Sequence, residues 1–336
     1  MKIAYIITPH AVVDKSNGIK SQAITWGNAL QRKGHQVDYI DIWKYYDWAS
    51  YDAIHFFGNG PWVNTIRTYL SKKNPKCVYS PIYDPNPFLE SKGQLMQKSL
   101  SKFTHGKWNC ALYNVCREYQ GYKRILVRTE HEREMIKRLF DVPEKIIEKV
   151  PLSYSFNLKY EQNLPEKEDF VFHMSLFTQP RKNVIRLVKA AQRYGFKLKI
   201  AGNPGTEEAY KEFMKVVNNS PNIEVLGFIS EEDKIDLYKR ARVFALPSIS
   251  EGVGIVAVDA ALYGADIVVT DIGGPKEYYN GMAEIVNPYS IDEIGQSCIR
   301  LLNRKTYQPK LREYINKKYS LDVIADNLIN IYNLIK

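Results

Sequence analysis

A chain of 336 residues with 45% apolar content is long enough for two ordinary domains with a sizeable core. It holds no run of about eighteen apolar residues, so no membrane-spanning helix is expected. The formal charge of +10 favours an anionic partner, but no arginine-rich tail or nucleic-acid motif accompanies it.

Residues 1–7 are too short for a signal peptide and read as a first strand. Short β-rich runs then alternate with helical patterns, which argues for an α/β fold with parallel sheets. In the first half the strand candidates are residues 2–7, 36–40, 53–57, 76–80 and 124–128. The first helix candidate carries Ala23, Trp26 and Leu30. Residues 154–169 are polar, contain Asn157, Asn163 and Pro165, and read as a linker between two domains. In the second half the strand candidates are residues 170–174, 197–201, 223–226, 242–246 and 265–270. Ser230 with Asp233 gives a capping-box start to a helix over 231–241, and Thr206 a weaker start. The last segment, 320–336, places Ile324, Leu328, Ile331 and Ile335 on one helical face. His55 and His173 fall inside strand patterns and read as core histidines. The four cysteines (Cys77, Cys110, Cys116, Cys298) have no paired metal spacing and read as reduced thiols of a cytoplasmic protein.

The stretch from Lys92 to Arg128 carries eight Lys or Arg residues against one acid, Glu118. Met96, Leu100 and Phe103, then Trp108, Leu112 and Val115, interleave at helical spacing. Two readings stay open. One is a pair of amphipathic helices packed on a sheet with solvated lysines. The other is a basic face toward an anionic membrane surface or a lipid-phosphate acceptor, with the chain peripheral on the inner face of the membrane.

Residues 247–260 carry the most chemistry. Glu251 and Asp259 stand eight residues apart around Gly252-Val253-Gly254, between a strand and a helical pattern. Glycines let backbone approach a ligand closely. Free N–H groups at a helix start attract an anion, and carboxylates accept from sugar hydroxyls. A ligand with both phosphate and sugar parts fits that pattern.

Beyond this stretch, several short runs form a set: Tyr51-Asp52-Ala53-Ile54-His55, Arg181-Lys182-Asn183, Leu198 to Gly202, Gly227-Phe228-Ile229-Ser230, Leu237-Tyr238, Pro247 to Gly254, Gly264, Asp271, Gly273-Gly274 and Glu277. Together they resemble family 4 retaining glycosyltransferases, the GT-B fold of two Rossmann-like domains facing a cleft, and the likeness spans nearly the whole chain. The resemblance implies an N-terminal acceptor domain over 1–155, joined by the C-terminal helix 320–336, and a nucleotide-sugar domain over 156–319. It implies that Glu251 meets the transferred sugar, and that the N–H groups of Gly252, Val253 and Gly254 contact sugar and diphosphate. Asp259 would hold the ribose, Gly227, Phe228 and Ile229 would lie near the base, and Lys182 would neutralise the diphosphate with help from Arg181. Gly18 matches the glycine loop that faces the diphosphate. Three positions depart from the family pattern: Asp259 where Glu is usual, Leu176 where an Arg is frequent, and Tyr83 followed by Asp84 where a histidine is expected. Tyr83 and Asp84 are the acceptor-side candidates.

The expected activity is metal-independent, retaining hexosyl transfer from a UDP- or GDP-sugar to a glycan, polyprenol-linked or protein acceptor, with no cofactor and no nucleic acid. No Gly-x-Gly-x-x-Gly follows the first strand, and neither a P-loop nor an Asp-x-Asp is present. A nucleotide-sugar epimerase on the same fold and a non-catalytic nucleotide-sugar or glycan binder remain as alternatives.

Overall fold

The computed structural model describes residues 1–13, 17–41, 43–84, 88–303 and 305–336, leaving out the side chains of His10 and Val12. The chain divides into two compact units, Met1–Ser153 with Leu321–Lys336, and Tyr154–Ser320.

The first unit runs β1 (Lys2–Ile7), α1 (His10–Val13), α2 (Gly18–Arg32), β2 (Gln36–Tyr39), β3 (Ala53–Phe57), α3 (Pro61–Leu70), β4 (Cys77–Ser80), α4 (Lys92–Phe103), α5 (Ala111–Glu118), β5 (Arg124–Val127), α6 (Glu130–Phe140) and β6 (Ile147–Lys149). Among the described residues these strands form one six-stranded sheet in the order β2-β1-β3-β4-β5-β6, with every pairing parallel. Such a sheet is covered on both faces, so its inner strands are mostly apolar; β3 and β4 are buried at every residue, His55 and Ser80 included. The chain leaves β1 in one direction to β2 and later returns on the other side to β3, so β1 and β3 flank a topological switch point.

The second unit runs β7 (Glu168–Leu176), α7 (Val184–Tyr194), β8 (Leu198–Asn203), α8 (Glu207–Val217), β9 (Ile223–Gly227), α9 (Glu231–Arg240), β10 (Ala241–Leu246), α10 (Ile255–Leu262), β11 (Asp266–Thr270), β12 (Glu284–Val286), α11 (Ile291–Leu302) and α12 (Lys310–Tyr319). Its parallel sheet has the order β12-β11-β10-β7-β8-β9. Ser230 and Thr206 cap α9 and α8 by accepting from the N–H groups of Asp233 and Ala209. The last helix, α13 (Leu321–Asn333), belongs to the first unit. Its Ile324, Leu328 and Tyr332 join the buried cluster that holds Trp26 and Leu30 of α2. The Tyr332 hydroxyl bonds His55 Nδ1 at 2.7 Å, and His55 Nε2 meets Ser80 Oγ at 2.8 Å, so His55 is a satisfied core residue.

Two strands lie outside the sequence expectation, β6 and β12. Each is three residues long and sits at a sheet edge, too short to establish a period. The stretch from 154 to 167 is no free connector. Ser155 donates to Asp259, and Asn157 to Glu231.

Of the two readings of Lys92–Arg128, the one that packs the apolar stripe on the sheet needs correction at α4. Helix α4 turns Lys98 and Ser101 inward. Met96, Phe103 and Trp108, expected on the packed side, are exposed, and Leu100 is exposed beside them; of the set Leu112 alone is fully buried. The reason is a charge placed inside. Lys98 Nζ donates to the Leu139 carbonyl at 2.6 Å and pairs with Asp141 at 2.8 Å. A satisfied buried ammonium rotates the helix by its own partners, and the apolar stripe goes out.

Candidate active site

The loop between β10 and α10 is stitched to the turn between β7 and α7. Asn183 adopts the left-handed conformation (φ 60°) and donates from Nδ2 to the carbonyls of Pro247 and Pro288, at 2.8 and 2.6 Å. The Ile249 N–H donates to the Arg181 carbonyl at 2.8 Å, and Arg181 Nη1 returns a bond to the Ser250 carbonyl at 3.1 Å. Arg181 and Lys182 lie in a short 3-10 turn, Pro180–Lys182, rather than in the first turn of a helix. Neighbours on such a turn point about 120° apart, and their long side chains bring the two cations to different oxygens of one carboxylate. Both reach Glu251: Lys182 Nζ at 2.6 Å from Oε2, and Arg181 Nη1 at 3.9 Å from Oε1. Ser248 Oγ donates to the same Oε2 at 3.3 Å. The Lys182 and Glu251 side chains are largely buried, so each is the other's main compensation.

Glycines fix how closely this loop can be approached. Gly254 stands at φ 74° where α10 begins, and no side chain caps that helix. Gly252 is half-buried and Val253 is buried beside it. A Cβ at Gly273 would lie 2.5 Å from the Glu251 carbonyl oxygen, so only glycine lets the 271–274 loop press against Glu251. Gly227 ends β9 at φ 65°; the following Phe228 is 73% exposed and Ile229 half-buried. Leu176 ends β7 with no charge to offer; the cations at Glu251 are Arg181 and Lys182.

Asp259 is placed differently from the other site residues. It lies on α10 at 2% exposure. Its Oδ1 accepts from the Ser155 N–H at 2.8 Å and its Oδ2 from the Ser155 hydroxyl at 2.6 Å. A ribose bound there must share the carboxylate with Ser155. Burial, partly offset by the two Ser155 bonds, pushes the carboxyl up from 3.8 to about 6. The folded chain then keeps a proton between those values that the unfolded chain releases. Stability falls as pH rises through that window and is level above it. Asp259→Asn should remove the slope. In calorimetry the wild-type Tm should decline relative to the variant as pH rises from 3.8 to about 6; parallel profiles would show that folding leaves the carboxyl unshifted.

In the first unit, Gly18 opens α2 behind Asn17, whose side chain caps the helix. A Cβ on Gly18 would meet nothing within 4 Å, so the position faces open space. Residues 14–16 of that loop are outside the described residues. Tyr83 is buried, its ring edge-on to Phe140 at 5.2 Å. Asp84 reaches solvent and pairs with Arg128 at 3.2 Å.

Two features escaped the sequence. Arg128 and Glu132 form a buried pair at 2.9 Å that ties the segment after β4 to the start of α6; Glu132 also accepts from the Tyr83 N–H at 2.7 Å. Thr129 with Glu132 at the third helical position was the available signal. The second is a cavity of about 730 Å³ at the carboxyl ends of β1 and β2, lined by Ile6, Ile7, Ile40, Trp48 and Trp62 among others. The density of aromatic residues from Tyr39 to Tyr51 announced it. Among the described residues no group of three or more His, Cys, Asp or Glu is placed to hold a metal ion.

The chain is similar to known glycosyltransferases. Residues 156–319 match the family described as Glycosyl transferases group 1. An uncharacterised glycosyltransferase of Methanocaldococcus jannaschii is 24% identical over 259 residues, covering 70% of this chain and 64% of the relative. The O-antigen chain mannosyltransferase B of Escherichia coli is 24% identical over 63% of this chain and 61% of its own. The matched region thus spans less than two thirds of these relatives' length. Anabaena HepE, solved in complex with UDP, superposes with a TM-score of 0.72 at 14% identity, over 99% of this chain and 100% of that one. The superposition gives the fold, GT-B.

Proposed function

From a second unit that is a glycosyl transferases group 1 domain, we propose that the chain is a retaining glycosyltransferase. It moves a hexosyl group from a UDP- or GDP-sugar to a glycan or lipid-linked acceptor in surface polysaccharide or glycoconjugate synthesis. The observation that carries this is the Lys182–Glu251 pair beside Gly252–Gly254 and the uncapped start of α10. In the absence of donor the two side chains hold one another in place. A bound donor exchanges that contact for two: the diphosphate takes Lys182 and the first-turn N–H groups, and the sugar takes Glu251.

The bond from the anomeric carbon to the diphosphate oxygen breaks, and the acceptor oxygen bonds the anomeric carbon on the same face. The acceptor proton passes to the departing diphosphate oxygen, so the step needs no separate base and no metal. Lys182 stabilises the charge that grows on the leaving group. Phe228, exposed after β9, offers a face to the nucleotide base. The least polar part of the acceptor is assigned to the tryptophan-lined cavity of the first unit, whose size is that of a small-molecule pocket.

Incubation with radiolabelled UDP- and GDP-sugars tests this. Transfer of label to an added glycan or lipid acceptor is the expected result. Isomerised nucleotide-sugar with no transfer identifies an epimerase. Thermal protection by nucleotide without turnover identifies a binding protein; saturation at a hundredfold excess over Kd protects by about 2.7 kcal/mol.

A further inference from the structure

We infer that the exposed face of α4, with the turn that follows it, is a docking surface for an anionic phospholipid bilayer. At about 100° per residue, Lys92, Met96, Ser99, Leu100 and Phe103 fall within about 100° of arc. Phe103 is 82% exposed and Met96 75%, with Leu100 and Trp108 exposed beside them. Four large apolar side chains so close together in sequence are more than the scattered exposed residues of an ordinary surface.

Within the segment itself the charges are of one sign. No acid occurs from residue 91 to 117, while Lys92, Lys98, Lys102, Lys107 and Arg117 all do. Lys98 is used inside, and Lys102 shares Asp141 with it at 2.7 Å. Among the described residues no ion pair engages Lys92, Lys107 or Arg117. An apolar stripe with free cations at its border is the pattern of a helix lying in the plane of a membrane interface, its apolar side chains among the acyl chains and its ammonium groups at the phosphates. The inner side of α4 is pinned by the Lys98 bonds, so the stripe is presented rigidly. A second copy of the chain is a poorer occupant: a two-fold contact is built from the same patch on both copies, so the basic border of one copy would face the basic border of the other. No helix is long and apolar enough to cross a membrane among the described residues, so the contact is lateral. The inference uses only the surface of the first unit and stands apart from the glycosyl-transfer reading.

The full chain should co-sediment with phosphatidylcholine vesicles containing phosphatidylglycerol at low salt, and about tenfold or more weakly with pure phosphatidylcholine. Each cation near such a surface contributes about fivefold, and the contribution is screened as salt rises. Met96→Ser with Phe103→Ser, both at exposed sites, should lower the partition coefficient at least about tenfold. Lys92→Glu with Lys107→Glu should do the same for anionic vesicles. Lys211→Glu with Lys215→Glu, exposed on α8 of the other unit, should leave binding unchanged, which separates a surface from bulk positive charge. Matching circular dichroism spectra and Tm values establish that the variants fold. Failure of the wild type to bind anionic vesicles at low salt overturns the inference, as does undiminished binding by the α4 variants. A dimer in sedimentation velocity that Phe103→Ser dissociates also overturns it, by assigning the stripe to a second copy.

Discussion

Glu251→Gln should lower sugar transfer by about 10²–10³-fold, the range seen when one preorganised electrostatic contact is removed, while free UDP or GDP binds as well as before or better. The amide keeps the volume of the carboxylate and can still accept from Ser248, whose hydroxyl lies 3.3 Å from Oε2. What disappears is the charge. In the unliganded protein that charge holds Lys182 at 2.6 Å, so a diphosphate competes with Glu251 for the lysine. Removing the competitor favours the diphosphate, whereas removing the sugar's anchor costs the transition state. The two effects separate cleanly: turnover of labelled donor reads one, and calorimetric titration with free nucleotide diphosphate reads the other. Undiminished turnover would take Glu251 out of the site. Equal losses in both measurements would make it a structural residue of the loop.

The sheets were legible because parallel strands buried on both faces are written as near-continuous apolar runs. Ala53–Phe57 reads directly as a strand. Edge strands β6 and β12 were not, since three residues carry no period. The direction of helix α4 was left open between two readings for a different reason. Periodicity identifies an apolar stripe but not which way it faces. The direction was set by Asp141 and the Leu139 carbonyl, about forty residues further on, which together satisfy Lys98. Burial of a lysine cannot be inferred without its partner.

The candidate site was legible where backbone conformation demands glycine. Gly254 and Gly273 stand at positive φ, and the approach of Gly273 to the Glu251 carbonyl excludes any side chain. Convergence was not legible. Arg181 and Lys182 lie in a 3-10 turn that the left-handed Asn183 separates from α7, and they reach one carboxylate because the loop that carries Glu251 is hydrogen-bonded to that turn. Nor did sequence spacing suggest that Ser155, more than a hundred residues away, occupies both oxygens of Asp259. The substitution of Asp for the family's usual Glu acquires a local physical sense there. The shorter side chain sits close to the helix and takes the serine as its partner.

Lys182→Ala should weaken donor binding and slow transfer together, because the lost contact serves the diphosphate both before and during departure. A hydrogen bond to a charged group is worth about 1.5–3 kcal/mol, roughly ten- to a hundredfold in affinity. The larger loss is expected in kcat/KM, since the leaving group's charge grows as its bond breaks. The variant should also be less stable than wild type, because Glu251 is left mostly buried with the Ser248 hydroxyl and the more distant Arg181, at 3.9 Å, as its described partners. Adding Glu251→Gln to Lys182→Ala should restore stability by removing that uncompensated charge, and should not restore turnover. A double-mutant cycle in both Tm and kcat/KM therefore distinguishes the structural pairing from the catalytic one. Arg181→Ala provides the comparison. Its guanidinium is more exposed and already donates to Gln179 and to the Ser250 carbonyl, so it should cost less than Lys182→Ala. If Arg181→Ala proves the more damaging, Arg181 is the principal diphosphate cation and Lys182 serves to hold Glu251 in place.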